Sequence, residues 1–179
     1  MRTDKSELWV FGYGSLMWRP GFPYAATTPA LLKGAHRALC VYSIFHRGTQ
    51  ERPGLVLGLD RGGACRGVAY LVEPGAEEDT VAYLREREQI ARVYVEAYRK
   101  VRLLDGSSRA VTALTYLIDP KHEQYAGRLP LEEQLRLVHG SKGQSGENVE
   151  YVLNTVRHLE EAGVHDATLA ALAARLARG

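Results

Sequence analysis

The pattern of apolar and polar positions divides the chain into a strand-rich first two-thirds and a helical last third. Short apolar or alternating runs, bounded by turn-forming residues, are typical of strands. Such runs predict strands at residues 8–13, 38–44, 55–59, 65–72, 94–103 and 110–118. Turn signals lie at Pro53-Gly54, at Asp60-Arg61-Gly62-Gly63 and at Asp105-Gly106-Ser107-Ser108.

Helical patterns are few and mostly late in the chain. They combine acidic first turns, a period near 3.6 and recognisable ends, such as Asp166 before an alanine-rich segment and Gly163 after the helix before it. The predicted helices are 77–89, 131–139, 147–162 and 167–177, and residues 140–146 read as a mobile glycine-serine loop. Strands close in sequence, followed by late helices, favour an α+β fold with a mixed or closed sheet.

Length and composition limit the classes of protein that the chain can represent. Its 179 residues, 45% of them apolar, predict one domain over 1–179, and the net charge is only +2. Neither a basic cluster nor an acidic tail is present, so we expect no nucleic-acid partner. We find no signal peptide and no apolar stretch of about 20 residues, and therefore expect a cytoplasmic protein without a membrane partner. The oligomeric state stays open.

The cysteines and histidines give no sign of a metal site. Cys40 and Cys65 lie in apolar or strand-like settings without C-x-x-C spacing, which favours buried reduced thiols over a disulfide or metal site. The six histidines are scattered and lack the spacing of zinc ligands. We therefore expect no metal ion.

The most informative chemistry follows the first predicted strand. The segment reads Val10-Phe11-Gly12-Tyr13-Gly14-Ser15-Leu16. Glycines at 12 and 14 permit positive φ and remove two β-carbons, so backbone amides could converge on an anion such as a carboxylate. The segment lacks the third glycine of a dinucleotide fingerprint and the glycine after Ser15 of a nucleophile elbow. A strand and glycine turn without a ligand is the alternative.

Several segments together resemble the γ-glutamylcyclotransferase family, in particular its ChaC-like branch, which degrades glutathione. They are residues 10–18, 22–24, 46–49, 53–59, 65–70, 83–88 and 143–151. The resemblance implies a closed β-barrel with flanking helices. It also implies a glutathione-specific γ-glutamylcyclotransferase that releases 5-oxoproline and cysteinylglycine without a cofactor or metal.

The same resemblance implies roles for particular residues. It places the catalytic glutamate at Glu88. It places the binding site for the γ-glutamyl group in the loop, at Val10, Phe11, Gly12, Tyr13, Gly14, Ser15 and Leu16. Arg47 and Tyr151 are further candidates, either as contacts to the glycine carboxylate of the substrate or as supports of the residues that bind it. A solvated arginine and a core tyrosine are the alternatives. Many family members carry glycine soon after the glutamate, whereas residues 89–94 here contain none.

The implied reaction needs few catalytic groups, because the α-amine of the γ-glutamyl group attacks its own γ-carbonyl. One carboxylate can take the proton from the ammonium and return it to the leaving amine. Without the resemblance, residues 85–88 read as a solvated helix face. A cyclotransferase for other γ-glutamyl amino acids or amines is one alternative, and a non-catalytic γ-glutamyl or carboxylate binder is another. The acid at 88 argues against the binder.

Overall fold

The protein is described from a computed structural model that covers residues 7–88 and 91–179. The chain divides into two compact units. Of the described residues, one unit consists of 7–36, 61–88 and 91–117, and the other of 37–60 and 118–179. The candidate substrate-binding residues 10–16 and the candidate catalytic residue Glu88 belong to the first unit.

Five strands form a closed, mixed barrel, which confirms the predicted fold class. They are β1 (Trp9–Gly12), β2 (Tyr24–Ser43), β3 (Gly54–Val72), β4 (Tyr94–Leu103) and β5 (Ala110–Ile118), and neighbours follow the order β1-β3-β2-β4-β5. Val10 of β1 faces Tyr70 of antiparallel β3 on one side and Leu114 of parallel β5 on the other. With strands on both sides and side chains in the core, β1 needs apolar residues throughout.

The described residues form four α-helices and a short hairpin. These elements are α1 (Glu77–Glu88), α2 (Leu131–Val138), α3 (Asn148–Glu161), α4 (Ala167–Ala177), β6 (Lys142–Gly143) and β7 (Gly146–Glu147). The Asp166 side chain accepts a hydrogen bond from the Leu169 N–H at 3.0 Å, which confirms the predicted cap of α4. Gln89, the predicted last residue of the first helix, lies outside the described residues.

Three predictions about local structure are wrong. β2 begins at Tyr24 and not at residue 38, and residues 142–147 form the β6–β7 hairpin where a loop over 140–146 was expected. The third is the turn at 60–63, which lies inside β3. Gly62 and Gly63 have φ of 93° and 72°, and the Gly62 carbonyl is 2.9 Å from Nδ1 of His36. Glycines at positive φ are as compatible with a distortion inside a strand as with a turn.

Each unit buries its own apolar residues. In the first unit a core of eight residues joins β1, the turn after it, β3, α1 and β5: Val10, Leu16, Phe22, Tyr70, Val72, Leu84, Leu114 and Tyr116. In the second unit α4 packs against α2 and α3, with Leu172 fully buried. Cys40 and Cys65 are both buried, as predicted, and neither forms a disulfide.

Candidate active site

The candidate site is built around the turn that follows β1. Ser15–Met17 forms a single 3-10 turn, in which the Met17 N–H donates to the Gly14 carbonyl oxygen over 2.9 Å. The amides of Ser15 and Leu16 open this turn, so neither has a carbonyl partner within it. They are the donors that the turn can offer to a carboxylate or to a developing oxyanion.

Burial limits how this segment could contact a ligand. Val10 and Phe11 are each 1% exposed, and Tyr13 and Leu16 are also buried. Ser15 is exposed. A ligand at this turn would therefore meet backbone atoms and the Ser15 hydroxyl, while the apolar side chains hold the segment in place. The assignment of the seven residues to substrate binding stays a prediction.

Neither Gly12 nor Gly14 adopts the positive φ that glycine permits. Gly14 has φ −128° and ψ −128°, and Gly12 is absent from the glycines with positive φ. Gly12 is needed for a different reason, because a β-carbon there would lie 2.9 Å from the Cβ of Leu16. The turn closes so tightly that Leu16 occupies the space of a side chain at position 12.

Ser15 has an arginine as a side-chain partner. Nη2 of Arg87 donates to Ser15 Oγ at 2.8 Å. A guanidinium stays protonated in proteins and cannot accept a proton, so this contact does not activate the hydroxyl as a nucleophile. The geometry is consistent with Ser15 as a hydrogen-bonding residue.

Glu88 is the last residue of α1, and its side chain is 18% exposed. Burial raises the pKa of Glu88 above the ordinary glutamate range, and the positive charge of Arg87 opposes this rise. Leu84, one turn earlier, is fully buried in the core and holds this part of α1 against it. A carboxylate with a raised pKa is suited to accept and return a proton near neutral pH.

A second set of contacts joins α1 to β4 and β5. Arg85 forms a two-pronged ion pair with Glu96, with both nitrogen–oxygen distances at 3.1 Å. The Tyr116 hydroxyl donates to the same carboxylate at 3.3 Å. Burial raises the pKa of Tyr116, and the charges of Glu96 and then Glu88 add to that rise. Tyr116 is therefore a protonated donor within electrostatic reach of Glu88.

Arg47 and Tyr151 lie in the second unit, where each has structural partners. The Arg47 guanidinium carbon lies 5.4 Å from the centre of the Tyr151 ring, and Nη1 donates to the Glu147 carbonyl at 3.2 Å. The Tyr151 hydroxyl accepts a hydrogen bond from the Leu57 N–H at 3.0 Å. Their expected role at the glycine carboxylate of a substrate stays a prediction.

Sequence reasoning gave no role to three residues that support this site. Arg87 and Tyr70 lie in segments that carry the family resemblance, and Tyr116 lies in a predicted strand, but neither periodicity nor spacing marks any of them. Tyr70 donates from its hydroxyl to the Leu16 carbonyl at 2.8 Å, across 54 positions of sequence. Local sequence patterns cannot predict a contact between residues so far apart in the sequence.

The described residues, 7–88 and 91–179, contain no group of three His, Cys, Asp or Glu side chains placed to hold a metal ion. Among the helices of this part of the chain, none has the length and apolar character that crossing a bilayer requires. The absence of a cofactor and the cytoplasmic location stay predictions.

Comparison with known proteins gives consistent matches over nearly the whole chain. The family model described as "ChaC-like protein" matches residues 8–178. The glutathione-specific gamma-glutamylcyclotransferase of Escherichia coli strain K12 is 33% identical over 165 residues, covering 92% of this chain and 71% of the bacterial protein. The human glutathione-specific gamma-glutamylcyclotransferase 1 is 33% identical over 173 residues, covering 94% of this chain and 78% of the human protein.

A solved structure supports the fold. The crystal structure of a yeast gamma-glutamylcyclotransferase specific to glutathione superimposes with a TM-score of 0.84, covers 97% of both chains and is 23% identical. At that identity the structural similarity supports the fold alone, and the family assignment rests on the sequence matches.

Proposed function

This chain belongs to the ChaC-like family, and from that membership we propose that it is a glutathione-specific γ-glutamylcyclotransferase. One observation of the structure carries the proposal. A largely buried carboxylate with a raised pKa, Glu88, stands beside the arginine that binds the turn after β1. The family resemblance implies that this turn binds the γ-glutamyl group and that this carboxylate transfers the proton.

In the proposed reaction the substrate attacks itself. The α-amine of the γ-glutamyl group forms a bond to its own γ-carbonyl carbon, and the amide bond to the cysteine nitrogen breaks. The products are 5-oxoproline and cysteinylglycine. Nucleophile and electrophile share one molecule, so the protein's main task is to fold the substrate into the attacking geometry, which is worth an effective molarity of about 10⁵ M or more.

Glu88 acts as the proton shuttle in this proposal. Its carboxylate takes a proton from the substrate ammonium, which frees the lone pair for attack, and delivers that proton to the departing cysteine nitrogen. The ring nitrogen loses a second proton as the lactam forms, and the released amine takes up one more proton to become an ammonium. One group can serve both steps because its pKa lies above the ordinary glutamate range. No nucleophile on the protein and no redox step is required, which is why we expect no cofactor.

The turn after β1 binds and polarises the substrate in this proposal. The Ser15 and Leu16 amides and the Ser15 hydroxyl would contact the γ-glutamyl carboxylate or the oxygen of the γ-carbonyl as charge develops there.

We also propose that residues 1–179 act as one domain, because β2 and β3 each contribute residues to both compact units.

The test is an incubation of the purified protein with glutathione, followed by mass detection of 5-oxoproline and cysteinylglycine. Glu88→Gln keeps size and hydrogen bonding but removes the shuttle, so turnover should fall about 10²-fold or more. Glu86→Gln is the matched control, because Glu86 lies on the same helix and is exposed. Glu96 is a poorer control, since its carboxylate binds Arg85 and Tyr116.

The same assay separates the alternatives. We expect kcat/KM for glutathione to exceed that for γ-glutamylalanine at least about tenfold, a difference of about 1.4 kcal/mol in transition-state binding. Equal efficiency on both substrates would favour a general γ-glutamyl cyclotransferase. Glutathione binding without any 5-oxoproline would favour the non-catalytic binder.

A further inference from the structure

One guanidinium, that of Arg87, holds together two parts of the chain that meet at the candidate site. Its Nη2 donates to Ser15 Oγ at 2.8 Å, and its Nη1 donates to the Arg19 carbonyl at 2.7 Å and to the Pro20 carbonyl at 3.3 Å. Its Nε lies 3.9 Å from Oε1 of Glu88. The side chain thus spans from the turn after β1 to the last turn of α1.

A second residue of α1 supports the same contact. Nη1 of Arg87 also donates to the hydroxyl of Tyr83, one helical turn earlier, at 3.0 Å. Tyr83 packs against Gly21, which has φ 76°, so closely that a β-carbon there would lie 2.7 Å from the Tyr83 Cζ. The segment from Ser15 to Gly21 therefore rests on two successive turns of α1.

These contacts require the shape of arginine. A guanidinium presents five donors in a planar fork, so its two terminal nitrogens can bind a hydroxyl and a carbonyl while Nε points elsewhere. A lysine ammonium carries the same charge at one point and cannot bridge Ser15 and Arg19 from that place in the same way.

We propose that Arg87 is a positioning residue: it fixes the Ser15 turn to the end of α1 and so sets the distance between the bound γ-glutamyl amine and the Glu88 carboxylate. The inference rests on the proposed function, in which the turn holds the substrate and Glu88 moves the proton. Reactions of this kind depend steeply on alignment, and a displacement of about 1 Å can cost about 10²-fold in rate.

Charge is the competing explanation for Arg87. Its positive charge lowers the pKa of Glu88 against the effect of burial, so an arginine could matter through electrostatics alone. A lysine substitution distinguishes the positioning role from the electrostatic role of Arg87. Arg87→Lys keeps the charge and most of the volume but loses the fork, whereas Arg87→Met loses both charge and fork.

The experiment compares wild type, Arg87→Lys, Arg87→Met and Glu88→Gln in one assay of 5-oxoproline release from glutathione, with kcat and KM measured across pH. Arg99→Met is the matched control, because Arg99 is exposed on β4 and its Nη1 donates to the carbonyl of its neighbour Tyr98. Thermal unfolding of each variant is recorded alongside.

We expect kcat to fall about 30-fold or more in Arg87→Met and about tenfold or more in Arg87→Lys, with KM changed less than about threefold in both. The acidic limb of the kcat profile should stay in place in Arg87→Lys and move to higher pH in Arg87→Met. Arg99→Met should remain within about twofold of wild type.

Wild-type kcat in Arg87→Lys would overturn the inference, because charge alone would then suffice. Wild-type kcat in Arg87→Met would overturn it as well. If Arg87→Met does not fold, Arg87→Lys carries the test. A wild-type protein that releases no 5-oxoproline contradicts the proposed function itself, whereas an active wild type with fully active Arg87 variants contradicts this inference alone.

Discussion

The hydroxyl of Tyr70 on β3 donates a hydrogen bond to the carbonyl oxygen of Leu16 at 2.8 Å and lies 2.8 Å from the carbonyl oxygen of Met17 as well. Tyr70 is 3% exposed, and burial raises its pKa to about 12, so the hydroxyl remains a donor over the working pH range. Its ring meets the ring of Phe22 edge-on at 5.5 Å. A barrel strand thus fixes the turn that bears Ser15.

Tyr70→Phe removes only this hydroxyl and keeps the ring in the core. The two carbonyl oxygens lose their shared donor, so the unfolding free energy should fall by about 1–3 kcal/mol. The turn loses an anchor, so kcat/KM for glutathione should fall. Urea unfolding and steady-state kinetics check both effects. Tyr24→Phe, at a ring that is 44% exposed, should change the unfolding free energy by less than about 0.5 kcal/mol. An unchanged Tyr70→Phe protein would contradict the anchoring role.

Local sequence patterns correctly predicted the strands and helices whose ends are determined by residues at those ends. β4, β5 and α4 have the predicted ends, because alternation or helical period stops at a clear turn or cap. β2 begins earlier than predicted, and its added part contains Pro29 and Gly34, two residues that are unfavourable inside a strand. Ala30 nevertheless pairs with Leu103 of β4, and such pairing with a distant strand overrides the local signals.

The candidate site was predictable only in part. The resemblance supplies Glu88 and the turn, but the burial that raises the Glu88 pKa depends on packing that no local pattern encodes. The contact between Arg87 and Ser15 spans 72 positions of sequence. Glycine permits positive φ at positions 12 and 14, but the structure needs Gly12 because Leu16 occupies the space of a side chain there.

Gly12→Ala tests that explanation of the turn. The added β-carbon would lie 2.9 Å from the Cβ of Leu16, so the turn must shift to accommodate it. Overpacking of this kind costs about 1–3 kcal/mol of unfolding free energy. Because the shift moves the proposed substrate donors, kcat/KM should fall as well. If denaturant unfolding and kcat/KM both match wild type, the turn relaxes freely and its tight closure has no functional part.

Asn148, the first residue of α3, offers a stability test in the second unit. Its side-chain amide accepts from the Leu55 N–H and donates to the Leu55 carbonyl, both at 2.8 Å, and the residue is fully buried. Asn148→Ala leaves two buried backbone groups unpaired, at about 1–3 kcal/mol each. Asn154→Ala, a partly exposed position of the same helix, should cost clearly less in urea unfolding. Equal losses would contradict the pairing role.

Burial of Glu88 destabilises the folded protein once the carboxyl group ionises. Burial raises its pKa in the folded protein, so between the ordinary glutamate pKa and the folded value the native state binds more protons than the unfolded state. The free energy of unfolding must then decrease as pH rises through that window. Below the window the group is protonated in both states and costs nothing. Above it, the folded protein carries the full cost of a buried charge.

Glu88→Gln removes this titration, so the variant should gain stability relative to wild type as pH increases from the ordinary glutamate pKa through the raised folded value. The trend with pH is the readout, because it is independent of any constant change in packing that glutamine introduces. Unfolding free energies from denaturant titrations at several pH values measure it, and exposed Glu86→Gln should show no trend. A difference between Glu88→Gln and wild type that is flat over this range would mean that the Glu88 pKa is not raised. The proton shuttle would then lose part of its physical basis, since a glutamate with an ordinary pKa is a weaker base toward the substrate ammonium.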